Sequence, residues 1–196
     1  MQSKTAWRIQ LRSHLGRIIY GDPAAASLRN QRIADFLFEA LESRPGLWLG
    51  YAATDDEPIV DVEVPGIEFA FPRINADLRT MDFYKAASAD ASWVENRFML
   101  REPNPDDSSW QLVPRDWLTT GQIRGALLPA LGYDRHFQRL GRGAGFYDRY
   151  LMGNRILKIG VSFAEQLVDE LPTEPHDIAV DAVITDKEVL WKLAAV

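Results

Sequence analysis

The chain contains no cysteine, which excludes disulfides, thiol catalysis and cysteine-ligated metals. It also lacks any apolar run long enough to cross a bilayer, and no apolar stretch follows a charged start at its N-terminus. Neither a membrane span nor a secretory signal is therefore expected, and the chain reads as soluble and cytoplasmic. An excess of basic residues is missing as well: 22 Lys and Arg face 28 Asp and Glu, for a net charge of −6. Nucleic-acid binders usually carry a broad basic face, so no such partner is expected, and an anionic ligand needs a local positive site instead. Histidine is scarce, and His14, His136 and His176 have no metal-ligand spacing to one another, so all three are read as non-ligands. Internal repeats and low-complexity segments are absent.

What is present suits one α/β domain spanning residues 1–196, since a chain of that length with 46% apolar residues can bury a core of ordinary size. A helix is expected from Lys4 to about Ile19, with Trp7, Leu11, Leu15 and Ile18 on one face and Lys4 and Arg8 on a neighbouring stripe. A second opens at Asp22-Pro23, a cap residue followed by proline, carries Ile33, Phe36, Leu37, Ala40 and Leu41 at helical spacing, and stops at Pro45-Gly46. Strands are expected at Leu47 to Ala53, Ile67 to Phe71, Thr80 to Ala86, Ile123 to Leu128, Arg155 to Ser162 and Ala179 to Thr185. Several are continuous apolar runs, which suits strands covered on both faces. Glu102 to Ser109, with two prolines, reads as a surface loop.

The segment Arg139-Leu-Gly-Arg-Gly-Ala-Gly-Phe-Tyr-Asp148 carries the chemistry. Alternate glycines at 141, 143 and 145 accept positive φ and remove the Cβ atoms that would hold a ligand away, so successive amide N–H groups can converge on one anion. A helix beginning near Gly145 would add its own unpaired N–H groups. Arg142 supplies a delocalised charge suited to phosphate or carboxylate, and Asp148 suits Mg²⁺. Arg135, Arg139, Arg142 and Arg149 make this a positive island in an acidic chain. Two standard nucleotide motifs are excluded: Phe146 stands where G-x-G-x-x-G needs its last glycine, and G-x-x-x-x-G-K-[ST] does not occur. The remaining reading is a metal-nucleotide site of another geometry, beside the plainer one of a flexible turn.

Leu128-Pro-Ala-Leu-Gly-Tyr-Asp134 followed by Arg139-Leu-Gly-Arg-Gly-Ala-Gly-Phe-Tyr-Asp-Arg-Tyr-Leu151 resembles the signature of the 5-formyltetrahydrofolate cyclo-ligase family, also called methenyltetrahydrofolate synthetases. The resemblance continues at Glu174-Pro-His-Asp177, Val180-Asp-Ala-Val-Ile184, Lys4 and Arg8. Weaker echoes lie at Asp56-Glu57, Pro72-Arg73, Met81-Asp-Phe83 and Glu102-Pro103. It implies a three-layer α/β/α domain with a mostly parallel sheet, of the NagB/RpiA/CoA-transferase kind, acting as a monomer. The implied reaction is ATP- and Mg²⁺-dependent cyclisation of 5-formyltetrahydrofolate, in which the formyl oxygen is phosphorylated and the folate's N10 nitrogen then displaces phosphate.

By position, the resemblance assigns ATP binding to Lys4, Arg8, Arg139, Leu140, Gly141, Arg142, Gly143, Ala144, Gly145, Phe146 and Tyr147. Folate binding falls to Glu57, Arg142, Gly143, Ala144, Gly145 and Phe146, metal binding to Asp148 and Asp177, and catalysis to Arg142. Each residue also has an ordinary structural reading. Lys4 and Arg8 are i,i+4 on a helix face that solvent can cover, Asp148 favours a helix N-terminus, Asp177 can cap a turn, Glu57 sits in an acidic turn, and Phe146 and Tyr147 suit a core.

Three departures stand out. Phe146 replaces the family's frequent Tyr, Ala144 its Lys or Gly, and Pro58 to Pro65 disfavours a helix usual in the family after the Glu57 position. The last of these points to a reshaped pterin pocket with altered folate preference; a non-catalytic folate- or nucleotide-binding relative is the alternative reading. A Gly160-Val-Ser162 approximation to a nucleophile elbow, with Asp169 and His176 in hydrolase order, lacks its final glycine and packs its triad into too short a segment.

Overall fold

The structure is a computed structural model that describes residues 2–60 and 62–193, with backbone alone for residues 17–21 and 23. Helix α1 (Lys4–Gly21) starts where the Ser3 hydroxyl accepts the Ala6 N–H at 3.3 Å. Helix α2 (Pro23–Leu41) starts where Asp22 accepts the N–H groups of Ala24 and Ala25, each at 3.1 Å. Leu11 and Leu15 on α1, and Ile33, Leu37 and Leu41 on α2, repeat every four residues and are all but fully buried. Each such side chain contributes about 2 kcal/mol through the water it leaves. The side chain of Ile18, expected on the same stripe, lies outside those described.

The remaining elements, in chain order, are β1 (Gly46–Leu49), β2 (Ile67–Ile74), β3 (Met81–Ala86), β4 (Trp93–Glu95), β5 (Arg101–Pro103), β6 (Trp110–Leu112) and α3 (Trp117–Thr120). They continue with β7 (Ile123–Pro129), β8 (Gly132–Asp134), β9 (Arg139–Leu140), α4 (Phe146–Leu151), β10 (Leu157–Val161), β11 (Leu167–Val168), β12 (Ala182–Ile184) and β13 (Val189–Trp191). The main sheet runs β13-β12-β10-β7-β1-β2-β3-β6. Its five central strands, from β12 to β2, are mutually parallel, and β13, β3 and β6 join antiparallel at the edges.

Alternation along β1 explains the layers: Leu47 and Leu49 point to one core and Trp48 to the other. The Trp48 face is covered by α1 and α2. Opposite, Leu118 of α3, Tyr150 and Leu151 of α4 and Tyr133 of β8 pack on Phe83 and Leu128. This is the expected α/β/α arrangement with a mostly parallel sheet. Trp48 demands a glycine beside it: a Cβ on Gly125 would lie 2.4 Å from its ring and 2.7 Å from the Leu157 carbonyl.

Several boundaries differ from expectation: β10 and β12 are shorter than the expected runs Arg155 to Ser162 and Ala179 to Thr185, and three other differences have a local cause. Strand β1 stops at Leu49 rather than Ala53, because the chain leaves the sheet after the Gly50 N–H bonds the Ala70 carbonyl at 2.7 Å, and the Tyr51 hydroxyl turns to the Pro58 carbonyl at 2.8 Å. Strand β2 runs on to Ile74, with Pro72 placed beyond its last pair to β1, where the missing N–H matters least. The expected loop from Glu102 begins inside β5, whose Glu102 and Pro103 pair with Val94 and Trp93. Pro58 to Val64 is non-helical at every described residue, as its composition implies.

Candidate active site

A cleft of about 730 Å³ opens at the carboxyl ends of the parallel strands, between Tyr51 and Ala52 after β1, Ile74 at the end of β2 and Pro129 at the end of β7. Open α/β sheets bind ligands at this edge, because the strands end there and loops diverge. Every residue expected at the site lines this one cleft: Lys4 and Arg8 from α1, Glu57, the whole run Arg139 to Asp148, and Asp177. The fold thus assembles side chains from four distant stretches of sequence.

The glycine segment is shaped as its composition requires. Gly143 has φ +114° and Gly145 φ +67°, backbone positions that side-chain-bearing residues rarely adopt. Its carbonyls are taken up by arginines: Arg8 Nε donates to Gly141 O at 3.0 Å and Arg149 Nη2 to Ala144 O at 2.7 Å. Among the described residues, none of the N–H groups of residues 142–145 donates a hydrogen bond. A loop with most of its acceptors engaged and its donors free is prepared for an anion. The helix that follows has only six residues, so its dipole adds less than expected.

Charges across the cleft are paired. Arg142 Nε donates to Glu57 Oε1 at 3.0 Å, while its Nη2 reaches Thr54 Oγ1 at 2.9 Å and a carboxylate oxygen of Asp56. Burial works against ionisation of Asp56, but bonds from Arg142 and Thr54 outweigh it and hold its carboxyl below the usual range. Arg139 is buried; it donates to Asp148 Oδ2 at 2.8 Å and Pro129 O at 3.2 Å, and its Nε has no partner. Lys4 Nζ sits 2.6 Å from Asp177 and 2.8 Å from Glu174. Burial pulls the Lys4 ammonium towards neutrality, and these bonds more than reverse it. Tyr51 and Tyr147 are pushed well above the ordinary phenol range by burial first and by the nearby Glu57 carboxylate second, so both hydroxyls stay protonated.

Oxygen donors for a hard cation are in place. Asp148 and Asp177 both line the cleft, and Glu174, His176 and Asp177 hold ligand atoms within 4.8 Å of one another. The carboxylates suit Mg²⁺, though each is held at present by Lys4 or Arg139. His176, read as a non-ligand, stands beside Glu174 and Asp177, a local proximity that comparing the histidines with one another does not show. Also overlooked was the wall formed by Pro72, Ile74, Met81, Leu100 and Arg101. Those residues come from three separate strands or turns, and no spacing in the sequence joins them. The hydrolase triad does not form: Ser162 is fully buried with its Oγ unpartnered, Asp169 is exposed beside Arg135, and His176 pairs with Glu174 at 3.3 Å.

The sequence model of the 5-formyltetrahydrofolate cyclo-ligase family matches residues 60–186. The chain belongs to that family. It is 45% identical over 96 residues to a 5-formyltetrahydrofolate cyclo-ligase of Mycolicibacterium smegmatis, covering 48% of this chain and 46% of the relative. To the enzyme of that name in Mus musculus it is 30% identical over 134 residues, 64% of each chain. The match therefore spans about half to two thirds of these curated relatives. Cyclo-ligase family members with solved structures share the fold. A 5,10-methenyltetrahydrofolate synthetase from Mycoplasma pneumoniae superposes with a TM-score of 0.69 at 23% identity, covering 94% of this chain and 99% of that one. One from Aquifex aeolicus gives 0.73 at 21% identity, covering 98% and 95%.

Proposed function

We propose that the chain is a monomeric, cytoplasmic enzyme that cyclises 5-formyltetrahydrofolate to 5,10-methenyltetrahydrofolate, converting ATP to ADP and phosphate with Mg²⁺. The observation that carries this is the run of free amides at residues 142–145, bordered by Arg8, Arg142 and two carboxylates, in a cleft that also has an apolar wall. Family membership supports the same reading, and every wall of the cleft comes from one chain.

A formamide carbonyl is a weak electrophile, so the reaction begins by placing a phosphoryl group on the formyl oxygen. The folate's N10 nitrogen then attacks the formyl carbon and gives up its proton to solvent, and the carbon–oxygen bond to phosphate breaks as phosphate leaves, which closes the methenyl bridge. Positioning and charge neutralisation supply most of the acceleration. The amides of residues 142–145 receive phosphate oxygens, and Arg8, packed against Gly143, adds charge beside them. Arg142 exchanges Glu57 and Asp56 for the transferring group, where its planar donors match the developing charge. Glu57, released, accepts N–H groups of the pterin, against which Phe146 packs. The protonated hydroxyl of Tyr147 acts as a donor rather than a base, whereas that of Tyr51 is already given to the Pro58 carbonyl. Asp148 and Asp177 would hold Mg²⁺, which would supply charge neutralisation among the phosphates.

Mixing the protein with 5-formyltetrahydrofolate, Mg²⁺ and ATP and following the near-ultraviolet absorbance of the methenyl product tests the reading. A rise that depends on ATP is expected. Folate binding without any rise would instead identify a non-catalytic relative, with the Pro58 to Pro65 segment as the first place to look.

A further inference from the structure

Five basic side chains line the cleft as Lys or Arg: Lys4, Arg8, Arg101, Arg139 and Arg142. Three are ion-paired, Lys4 to Asp177, Arg139 to Asp148 and Arg142 to Glu57. Arg8 is spent on the glycine segment, where it bonds the Gly141 carbonyl. Arg101 differs from all of these. It is exposed, and among the described residues its side chain makes no hydrogen bond or ion pair. Its guanidinium lies 4.6 Å from the Trp93 ring centre, which fixes its direction while leaving its donors open. The adjacent carboxylate is not paired with it: Glu102 is not within ion-pair distance, and its Oε2 is turned to Ile74 N at 3.2 Å and Asn96 Nδ2 at 2.9 Å. Glu95, opposite Arg101 in the β4–β5 pair, is not within ion-pair distance.

Arg101 also stands on a different wall from the glycine segment, on β5 beside β2, in company with Pro72, Ile74, Met81 and Leu100. The cleft therefore offers an apolar strip and a second anion receptor, distinct from the one for phosphate. A folate has that sequence of chemistries: a pterin, an aromatic aminobenzoyl ring and a glutamate with free carboxylates. We infer that Arg101 receives the glutamyl carboxylates of the folate, with the aminobenzoyl ring on the strip of Pro72, Ile74, Met81 and Leu100, and so sets preference for the tail. This rests on the folate reading above. Arg101 is then a specificity residue: it contributes to folate affinity and leaves the phosphoryl step alone.

Calorimetric titration without ATP tests it, using 5-formyltetrahydrofolate and a derivative whose two glutamyl carboxylates are converted to amides. Arg101→Gln should weaken the natural ligand about five- to tenfold, the range of one charge-assisted contact. It should change the diamide less than about twofold, and Arg101→Lys should recover part of the loss. Arg97→Gln, on the same hairpin but stacked on Phe98 and outside the cleft, should change neither. Equal weakening of both ligands by Arg101→Gln, or of neither, overturns the inference. Wild-type turnover with ATP is scored separately. Folate binding without turnover removes the proposed reaction and leaves the role of Arg101 standing, whereas absence of folate binding overturns both.

Discussion

Arg142 Nε donates to Glu57 Oε1 at 3.0 Å, which joins the residue expected to handle phosphate to the one expected to handle the pterin. Without ligands, each neutralises the other. The Glu57 side chain is only 7% exposed, so it depends on this partner more than Arg142, at 35%, depends on it.

Arg142→Ala should therefore have two separable effects. Loss of the group that meets the transferring phosphoryl should lower kcat about 10²- to 10³-fold. Leaving Glu57 buried without its cation should cost about 1–3 kcal/mol of stability. Adding Glu57→Gln should recover much of the stability and none of the turnover, measured by denaturant unfolding beside the absorbance assay. Recovery of turnover in the double variant would show that Arg142 serves only to neutralise Glu57.

Glycines on the same chain should respond in opposite directions. At Gly143, φ is +114°, and an alanine there should cost about 1–3 kcal/mol and disturb the amides beside it, raising KM for ATP. Gly16 lies inside α1, and a Cβ there would meet nothing within 4 Å, so Gly16→Ala should stabilise by about 0.5–1 kcal/mol with KM unchanged. Thermal unfolding and ATP titration of the two variants decide the point.

The parts of the fold that were legible in the sequence are those with enough repeated signal. Leu11 and Leu15, or Ile33, Leu37 and Leu41, announce helices, and the runs Ile123 to Leu128 and Arg155 to Ser162 announce covered strands, the second observed as Leu157–Val161. Strands β4, β5, β6, β8, β9, β11 and β13 have two or three residues each, too few for alternation to register. The glycine segment was readable because backbone freedom is encoded locally. Its pairings were not: Arg142 with Glu57, Arg139 with Asp148 and Lys4 with Asp177 depend on the folded chain bringing charges together. Arg101 went unnoticed for the same reason, since its isolation is visible only once its neighbours are known.

Acid should loosen the contact between α2 and the turn joining β12 to β13. Arg29 Nε donates to Asp186 Oδ2 at 2.8 Å, and the Ala164 N–H bonds Oδ1 at 2.8 Å. Burial raises the pKa of Asp186, but these bonds lower it further, leaving the folded value below the ordinary 3.8. A depressed carboxyl contributes stability above its unfolded pKa and loses it as pH falls through the folded one. Stability should thus be insensitive to Asp186 from neutral pH down to about pH 4. Below that it should decline, with a shallower decline in Asp186→Asn, whose neutral-pH stability is already reduced. Unfolding midpoints taken between neutral pH and about pH 2.5 would refute this if the two proteins decline in parallel.

Lys4 connects the metal site to the nucleotide site. Its ammonium lies against Asp177 and Glu174, where a cation held by those carboxylates would have to lie, so Mg²⁺ and Lys4 compete until phosphate gives Lys4 somewhere else to bind. Lys4→Met should consequently tighten Mg²⁺ binding in the absence of nucleotide, by about fivefold on the scale of one partly exposed ion pair. The same variant should raise KM for ATP, because the ammonium is no longer available to phosphate. Asp177→Asn in the Lys4→Met background should abolish the gain in Mg²⁺ affinity. Calorimetry with Mg²⁺ alone gives the first quantity and the absorbance assay the second. Unchanged Mg²⁺ affinity in Lys4→Met would mean that the ion binds elsewhere and that Lys4 serves only to fasten α1 to the segment Glu174 to Asp177.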